Sequence, residues 1–321
     1  MRTIFKMNYR DLRIVFMGTP EFAVASLDAM LNAGCTIVGV ITAPDKPAGR
    51  GLKLQESAVK KYAVEKGLPI LQPEKLKNPQ FLEDLRSLNA DVQVVVAFRM
   101  LPELVWDMPA MGTINVHASL LPQYRGAAPI NWAIINGEKQ TGVSTFKLKH
   151  EIDTGDILLQ EKIPIGENET AGELHDRLKE LGAEVLVKTI HALANGTLKE
   201  ISQSEISNAK SETIMHAPKI FTETCRIDWN KPVDEVHNLI RGLSPFPAAF
   251  THLNEKLLKI YRSEKESRQP EVAPGEFETD GKTFLKFAGK DGFISVKELQ
   301  MEGKKKMNIE DFLRGHKLSY K

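Results

Sequence analysis

Asn115 and His117 are the residues whose types and spacing most directly suggest chemistry. They close an apolar run, Ile114-Asn115-Val116-His117, and sit two positions apart. Side chains alternate faces along a strand, so the pair points the same way. An amide donor beside a titratable imidazole suits acyl transfer: the amide steadies an oxyanion and the ring handles a proton. In a parallel sheet the pair would lie at the carboxyl end of its strand, where open α/β sheets place their ligands. A lone histidine more often satisfies a structural hydrogen bond. The pairing with Asn115, and the Pro- and Gly-rich segment that follows, lift this one above that reading.

That segment is Ala118-Ser119-Leu120-Leu121-Pro122-Gln123-Tyr124-Arg125-Gly126. Pro122 restricts its backbone and Gly126 relieves it, so it reads at least as a rigid connection. Asp153-Thr154-Gly155-Asp156 is turn-like, with Gly155 free to take positive φ. An Asx-type turn is a sufficient account of Asp156. Ala43 to Leu54 holds two prolines, two glycines and three basic residues, Lys46, Arg50 and Lys53. It reads as a mobile positive loop, or more plainly as a solvated one. Lys304-Lys305-Lys306 is a charge run with Lys282, Lys286 and Lys290 nearby in sequence. Such runs are usually solvated turns; gathered on one face they would track phosphates.

The elements that must carry these residues follow from the hydrophobic pattern. Leu12 to Met17 reads as a buried strand. Thr19 is placed to cap the next helix and Pro20 to sit in its first turn. Phe22, Leu27, Met30 and Leu31 give that helix an apolar face, Gly34 ends it, and Thr36 to Ile41 is the next strand. The turn lacks the G-x-G-x-x-G fingerprint, so this βαβ opening gives NAD binding little support. Val92 to Ala97, Gly112 to His117 and Val143 to Leu148 are further strands. Continuous runs such as Val94-Val95-Val96 indicate a mostly parallel sheet buried on both faces. Thr170 to Ala194 is a long amphipathic helix.

From about Ser202 to Ser211 the pattern turns polar and loses periodicity, which marks a linker. The expected division is a first domain over 1–203, a linker over 204–213 and a second domain over 214–321. In the second, Val233 to Arg241 is a helix ended by Gly242. Short strands over Leu257–Tyr261, Gly275–Glu278, Thr283–Phe287 and Phe293–Glu298 suggest a small β-barrel, with a short helix over Asn308–Leu313.

Composition sets the bounds. The chain has 321 residues, about two domains' worth. Its net charge of +1 weakens a pure RNA-binding module and is neutral for an enzyme that touches RNA through local patches. No stretch approaches the roughly 20 apolar residues of a membrane span. Met1 to Arg10 has no apolar core and is not a secretory signal; Met7 is a second possible start. Cys35 and Cys225 fit no zinc motif and no disulfide framework, and read as reduced buried thiols of a cytoplasmic protein. No ligand cluster for a metal is visible.

Asn115-Val116-His117-Ala118-Ser119-Leu120-Leu121-Pro122 with Tyr124-Arg125-Gly126-Ala127-Ala128-Pro129-Ile130 closely resembles the signature of folate-dependent formyltransferases. His150-Glu151-Ile152-Asp153-Thr154-Gly155-Asp156-Ile157-Leu158 is similar to the aspartate loop of the same family. The likeness runs from Phe16-Met17-Gly18-Thr19-Pro20 into the C-terminal region. It implies an α/β, Rossmann-like domain with helices on both faces of the sheet, followed by an OB-like barrel.

The resemblance also implies formyl transfer from 10-formyltetrahydrofolate to the α-amino group of methionine on initiator tRNA, by a monomer without a metal. Asn115, His117 and Asp153 would be catalytic. Asp153 would keep the imidazole charged and orient it. Val96, Phe98, Met100, Leu101, Ser119, Leu120, Leu121, Pro122, Asp153 and Gly155 would border the folate, with Arg125 near the site as an anion or carbonyl partner. Lys46, Arg50, Lys53, Lys219, Lys304, Lys305 and Lys306 would meet tRNA, Arg50 in the loop that approaches the acceptor end. The chain departs from the family at Phe98-Arg99, where most members carry Tyr-Gly. A side chain there limits positive φ and alters the wall of the folate pocket.

Relatives acting on glycinamide ribonucleotide or sugar nucleotides, and formyl hydrolases, share the same core. The long C-terminal part argues against the single-domain members. Arg226-Ile227-Asp228-Trp229 and Ser244-Pro245-Phe246-Pro247 are similar to the second domain that the tRNA and sugar-nucleotide enzymes share, and the basic loop favours tRNA. A catalytically silent tRNA-binding protein is the alternative of a different class; intact Asn115, His117 and Asp153 speak against it.

Overall fold

The structure is a computed structural model that describes residues 7–48, 53–210, 213–316 and 318. Its described residues fall into two compact units. One is drawn from Met1–Arg125, Gly142–Lys162 and Asp176–Met215, the other from Gly126–Thr141, Ile163–His175 and His216–Lys321. The second unit therefore takes in two pieces, Gly126–Thr141 and Ile163–His175, that precede its main C-terminal stretch.

In chain order the first half gives β1 (Arg13–Gly18), α1 (Glu21–Asn32), β2 (Thr36–Ile41), β3 (Lys46–Ala48), β4 (Lys53–Gln55), α2 (Ala58–Glu65) and β5 (Ile70–Leu71). There follow α3 (Pro79–Ser87), β6 (Val92–Val96), α4 (Glu103–Trp106), β7 (Thr113–His117), β8 (Arg125–Gly126) and α5 (Pro129–Ile135). Then come β9 (Gln140–Lys147), β10 (Ile157–Pro164), α6 (Ala171–Ala194) and α7 (Gln203–Lys210). Seven strands form one sheet in the order β10-β9-β7-β6-β1-β2-β5. The neighbours from β7 to β5 are parallel, and β9 runs antiparallel to β7. The apolar runs fill this interior: Val15, Met17, Ile41, Val95, Leu101 and Val105 share one buried cluster with Phe81 and Leu85. A Cβ on Gly18 would come within 2.5 Å of the Ala23 Cβ, so glycine at the end of β1 is what lets α1 start this close.

Two expectations change here. Thr19 does not cap α1: the N-cap is Pro20, in extended conformation, with no side-chain cap bond. The Thr19 carbonyl instead accepts from the Val59 amide at 3.3 Å. The polar stretch after Ser202 is helical as α7. Ile206 packs against the buried cluster of Leu121, Phe146 and Ile157, so one apolar contact anchors a segment without visible periodicity.

The second unit holds β11 (His216–Ala217), α8 (Val233–Gly242), β12 (Ala249–Leu253), β13 (Lys256–Glu266), β14 (Phe277–Thr279), β15 (Leu285–Ala288), β16 (Phe293–Met301), β17 (Met307–Asn308) and α9 (Ile309–Gly315). Five strands run in the order β12-β13-β16-β15-β14, with β17 paired to β16, all antiparallel. Register shifts near Arg262 bend β13. This is the curled antiparallel sheet of an OB-like domain. Its core joins Val236 and Ile240 of α8 to Ile260, Phe287, Ile294 and Phe312. Trp229 stacks on Phe287 with centroids 4.8 Å apart and donates its indole N–H to Thr251.

Cys35 and Cys225 are both free and buried. Burial pushes the Cys35 thiol up to about 11. No helix among the described residues is long and apolar enough to cross a membrane.

Candidate active site

β7 lies between β6 and β9, so its C-terminal half is set by both neighbours. Asn115 is in register with Val95 and Phe146, and His117 with Ser144. Strand alternation puts Asn115 and His117 on one face. His117 is 7 % exposed, and its ring meets Phe146 edge-on at 6.4 Å. Its Nε2 lies 2.9 Å from the Tyr124 carbonyl oxygen. A carbonyl only accepts, so Nε2 carries a hydrogen. Nδ1 then faces Asp153, 3.9 Å from Oδ2. That separation is too long for a hydrogen bond, and the contact is an ion pair only when the imidazole carries its proton.

The segment after His117 is held by interior polar groups. The Ser119 hydroxyl donates to the Gln123 carbonyl at 2.6 Å. The Ser144 hydroxyl donates to the Ser119 carbonyl and accepts from the Leu121 amide. The Gln160 side chain donates to the Leu121 carbonyl and to the Ser144 hydroxyl. Tyr124, which receives the histidine, has φ 60° and donates its amide to Met215 at 2.7 Å. Leu121–Pro122 is cis.

Asp153 stands in the left-handed region at φ 54°. Gly155, where positive φ was expected, is required for space instead: a Cβ there would fall 1.6 Å from the Lys147 carbonyl. Asp156 does more than close a turn, since it takes an ion pair from Lys149 at 2.8 Å. Burial pushes the Arg125 guanidinium down from its ordinary range, opposed by the charges of Asp153 and Glu151.

Sequence reasoning missed three residues of this site, Gln203, Ser144 and Gln160. Gln203, 2 % exposed at the start of α7, accepts from Arg125 Nε at 3.0 Å and Nη2 at 2.7 Å. Its amide nitrogen donates to the carbonyls of Asp153 at 2.9 Å and Gly155 at 2.8 Å. A glutamine at the edge of a polar stretch carries no signal in the pattern. Ser144 and Gln160 were missed in the same way, as ordinary residues of strands.

Of the residues expected at the folate, Val96, Leu101, Ser119, Leu121, Pro122 and Gly155 are buried. Phe98, Leu120 and Asp153 are half-buried and Met100 is exposed. The left-handed residue of this wall is Ala97, φ 47°, not the Arg99 position. Arg99 turns back to donate to the carbonyls of Pro73 and Glu74.

Of the residues expected at tRNA, Arg50 lies outside the described residues. Lys46 is exposed at the foot of the loop, in β3, which pairs with the strand β4 that begins at Lys53. The preceding Asp45 is fastened by Lys60 and by Gln72 at 2.9 Å. In the second unit, the Lys219 ammonium lies 5.8 Å from the Phe221 ring centroid. Lys304, Lys305 and Lys306 are exposed, but Lys306 is salt-bridged to Glu298 at 2.6 Å. Lys286 is engaged by Glu266 and Glu278. Among the described residues no group of three or more His, Cys, Asp or Glu could hold a metal ion.

A buried imidazole with a carboxylate near one nitrogen, an amide side chain on the same strand face and a strand-end position suit acyl-group transfer. Residues 12–190 match the formyl transferase family and residues 219–317 match its C-terminal domain, so this chain belongs to the formyl transferase family. It is 56% identical over 319 residues to the methionyl-tRNA formyltransferase of Phocaeicola vulgatus, covering 98% of each chain. It is 53% identical over 318 residues to that of Bacteroides fragilis, again covering 98% of each. Among solved structures it is similar in fold to a sugar 3N-formyl transferase in the presence of dTDP and 5-N-formyl-THF. That likeness has a TM-score of 0.65, 24% identity, and covers 92% of this chain and 99% of the other. An N-formyltransferase from Helicobacter canadensis gives a TM-score of 0.65 at 22% identity, with 92% and 100% covered.

Proposed function

We propose that this chain transfers the formyl group of 10-formyltetrahydrofolate to the α-amino group of methionine on initiator tRNA, in the cytoplasm. The family membership and the relatives at more than half identity support this reading. The observation that carries it is the Nδ1 of His117 facing Asp153 while Nε2 is held by Tyr124.

Folate supplies a formyl carbon attached to nitrogen. The neutral α-amino group, whose ordinary pKa is near ~7.7–8.0, attacks that carbon. The new N–C bond forms, the carbonyl electrons move to oxygen, and the C–N bond to folate then breaks. The amine loses one proton and the folate nitrogen gains one. Asn115 donates to the developing oxyanion, and His117 passes the proton and counters the charge. Asp153 stabilises the charged imidazole and fixes its orientation. Val96, Phe98, Met100, Leu101 and the Ser119–Pro122 segment border the folate. The first unit, α7 included, carries catalysis, and the C-terminal domain contacts tRNA. Lys46, Arg50, Lys53, Lys219 and Lys304 to Lys306 contribute the positive contacts.

The test is transfer of labelled formyl from 10-formyltetrahydrofolate to charged initiator tRNA, beside a dTDP-linked amino sugar as competing acceptor. Label on the tRNA is the expected result. Label only on the sugar nucleotide rejects the acceptor, and label on neither rejects the activity.

A further inference from the structure

The geometry points to Gln203 as a positioning residue of the formyl-transfer site, one amide that sets Asp153 against His117 and holds the Arg125 guanidinium beside them. This rests on the catalytic reading of Asp153 given above.

The orientation of the amide is unambiguous. Arg125 can only donate, and the carbonyls of Asp153 and Gly155 can only accept. Oε1 therefore faces Nε and Nη2 of Arg125, and Nε2 faces both loop carbonyls. All four contacts lie between 2.7 and 3.0 Å. The amide is buried, so exchanging these bonds for water is not open to it. The approach of Gln203 is itself fixed two residues earlier, where Ile201 and Ile157 exchange backbone hydrogen bonds at 2.8 and 2.9 Å.

The loop needs such a clamp. Asp153 sits at φ 54°, a left-handed conformation that aspartate tolerates better than most residues but that a fixed surrounding holds in place. On the far side Gly155 is pressed against the Lys147 carbonyl, which stops the loop from retreating. Gln203 closes the other side by gripping the carbonyls on either side of Thr154. Its effect on the reaction thus passes through the place of the Asp153 carboxylate.

The test is steady-state kinetics on the full chain with Gln203→Met, which keeps the volume and removes the bonds, and Gln203→Glu. The Glu variant still accepts from Arg125 but cannot donate to the two carbonyls when ionised, so it serves if the Met variant fails to fold. We expect kcat to fall about 10- to 100-fold in either, with KM for folate and for tRNA each within about threefold of wild type. In an Asp153→Ala background the same Gln203 substitution should cost less than about threefold, because the two losses share one route. Full, independent losses in the double variant, or a folded Gln203 variant with normal kcat, would overturn the positioning role and leave Asp153 as the reacting partner. A fully active Asp153→Ala protein would instead reject the catalytic reading, and the positioning role with it.

Discussion

The Nε2–H of His117 is committed to the carbonyl of Tyr124 at 2.9 Å. The other ring nitrogen, Nδ1, is the one that faces Asp153. Asn115→Ala, His117→Ala and Asp153→Ala should each lower kcat/KM by at least about 10²-fold, the scale of a lost oxyanion donor or acid–base group. The folded state should survive all three. A folded His117→Ala protein with near-normal transfer would remove the site.

Arg99 gives a contrasting expectation. Its guanidinium ties the wall to Pro73 and Glu74, and its backbone is not the left-handed point of the segment. Arg99→Gly should keep the activity and shift folate KM by no more than a few-fold, while loss of exposed hydrogen bonds costs about 1 kcal/mol of stability. Calorimetric titration with a 10-substituted folate analogue checks the affinity. Loss of all folate binding would make Arg99 part of the pocket.

His237 makes the second unit sensitive to acid. Its Nδ1 meets the Ser263 hydroxyl at 3.0 Å and its Nε2 meets the Asn168 side-chain oxygen at 3.2 Å. Burial, aided by the charges of Arg241 and Lys265, pushes the imidazole from its ordinary 6.5 down to about 4. The unfolded chain then binds the proton first as pH falls. The stability owed to the neutral ring is complete above pH 6.5 and is lost between there and about 4. Urea melts from pH 7 to 4 should show it, and His237→Gln should flatten the dependence across that interval. An unchanged slope in the variant rejects His237 as its source.

Arg50→Ala should weaken use of methionyl-tRNA and leave folate affinity alone. A base-reading contact is worth roughly 1–3 kcal/mol. Varying each substrate in turn decides the matter: a raised folate requirement with an unchanged tRNA requirement would move this loop to the folate pocket.

The lysine run divides unequally. Lys306 is neutralised by Glu298, and its ammonium lies 5.0 Å from the Tyr261 ring centroid. Lys304→Gln and Lys305→Gln should each make the slope of log affinity against log salt shallower by about 0.9 for a lost phosphate contact, and Lys306→Gln by less. Equal effects from all three would mean that Lys306 leaves Glu298 for the phosphate.

Much of this was readable before any coordinates. Val92–Val96 and Thr113–His117 show themselves as strands because burial on both faces demands continuous apolar residues. Asn115 and His117 show themselves by spacing, and Asp153 by its likeness to a known loop. Gln203 did not, because its worth lies in partners 50 and 78 residues away and no local pattern encodes them. Thr19 misled for a related reason: its cap propensity is local, whereas its carbonyl is claimed by Val59 from another element. Helix α7 was hidden because the apolar contact described for it comes from Ile206, set in a polar stretch without periodicity.

The two thiols offer a pair of clocks. Cys35 belongs to the first unit and Cys225 to the second, and both are buried and free. A disulfide reagent reacts with a shielded thiol only when the surrounding structure opens. The labelling rate at each sulfur therefore times the opening of its own unit, and mass analysis of the two peptides reads both rates in one sample. Added folate or charged tRNA slows whichever clock belongs to the unit it holds shut, so the wild-type chain can report which unit each substrate steadies without a single substitution.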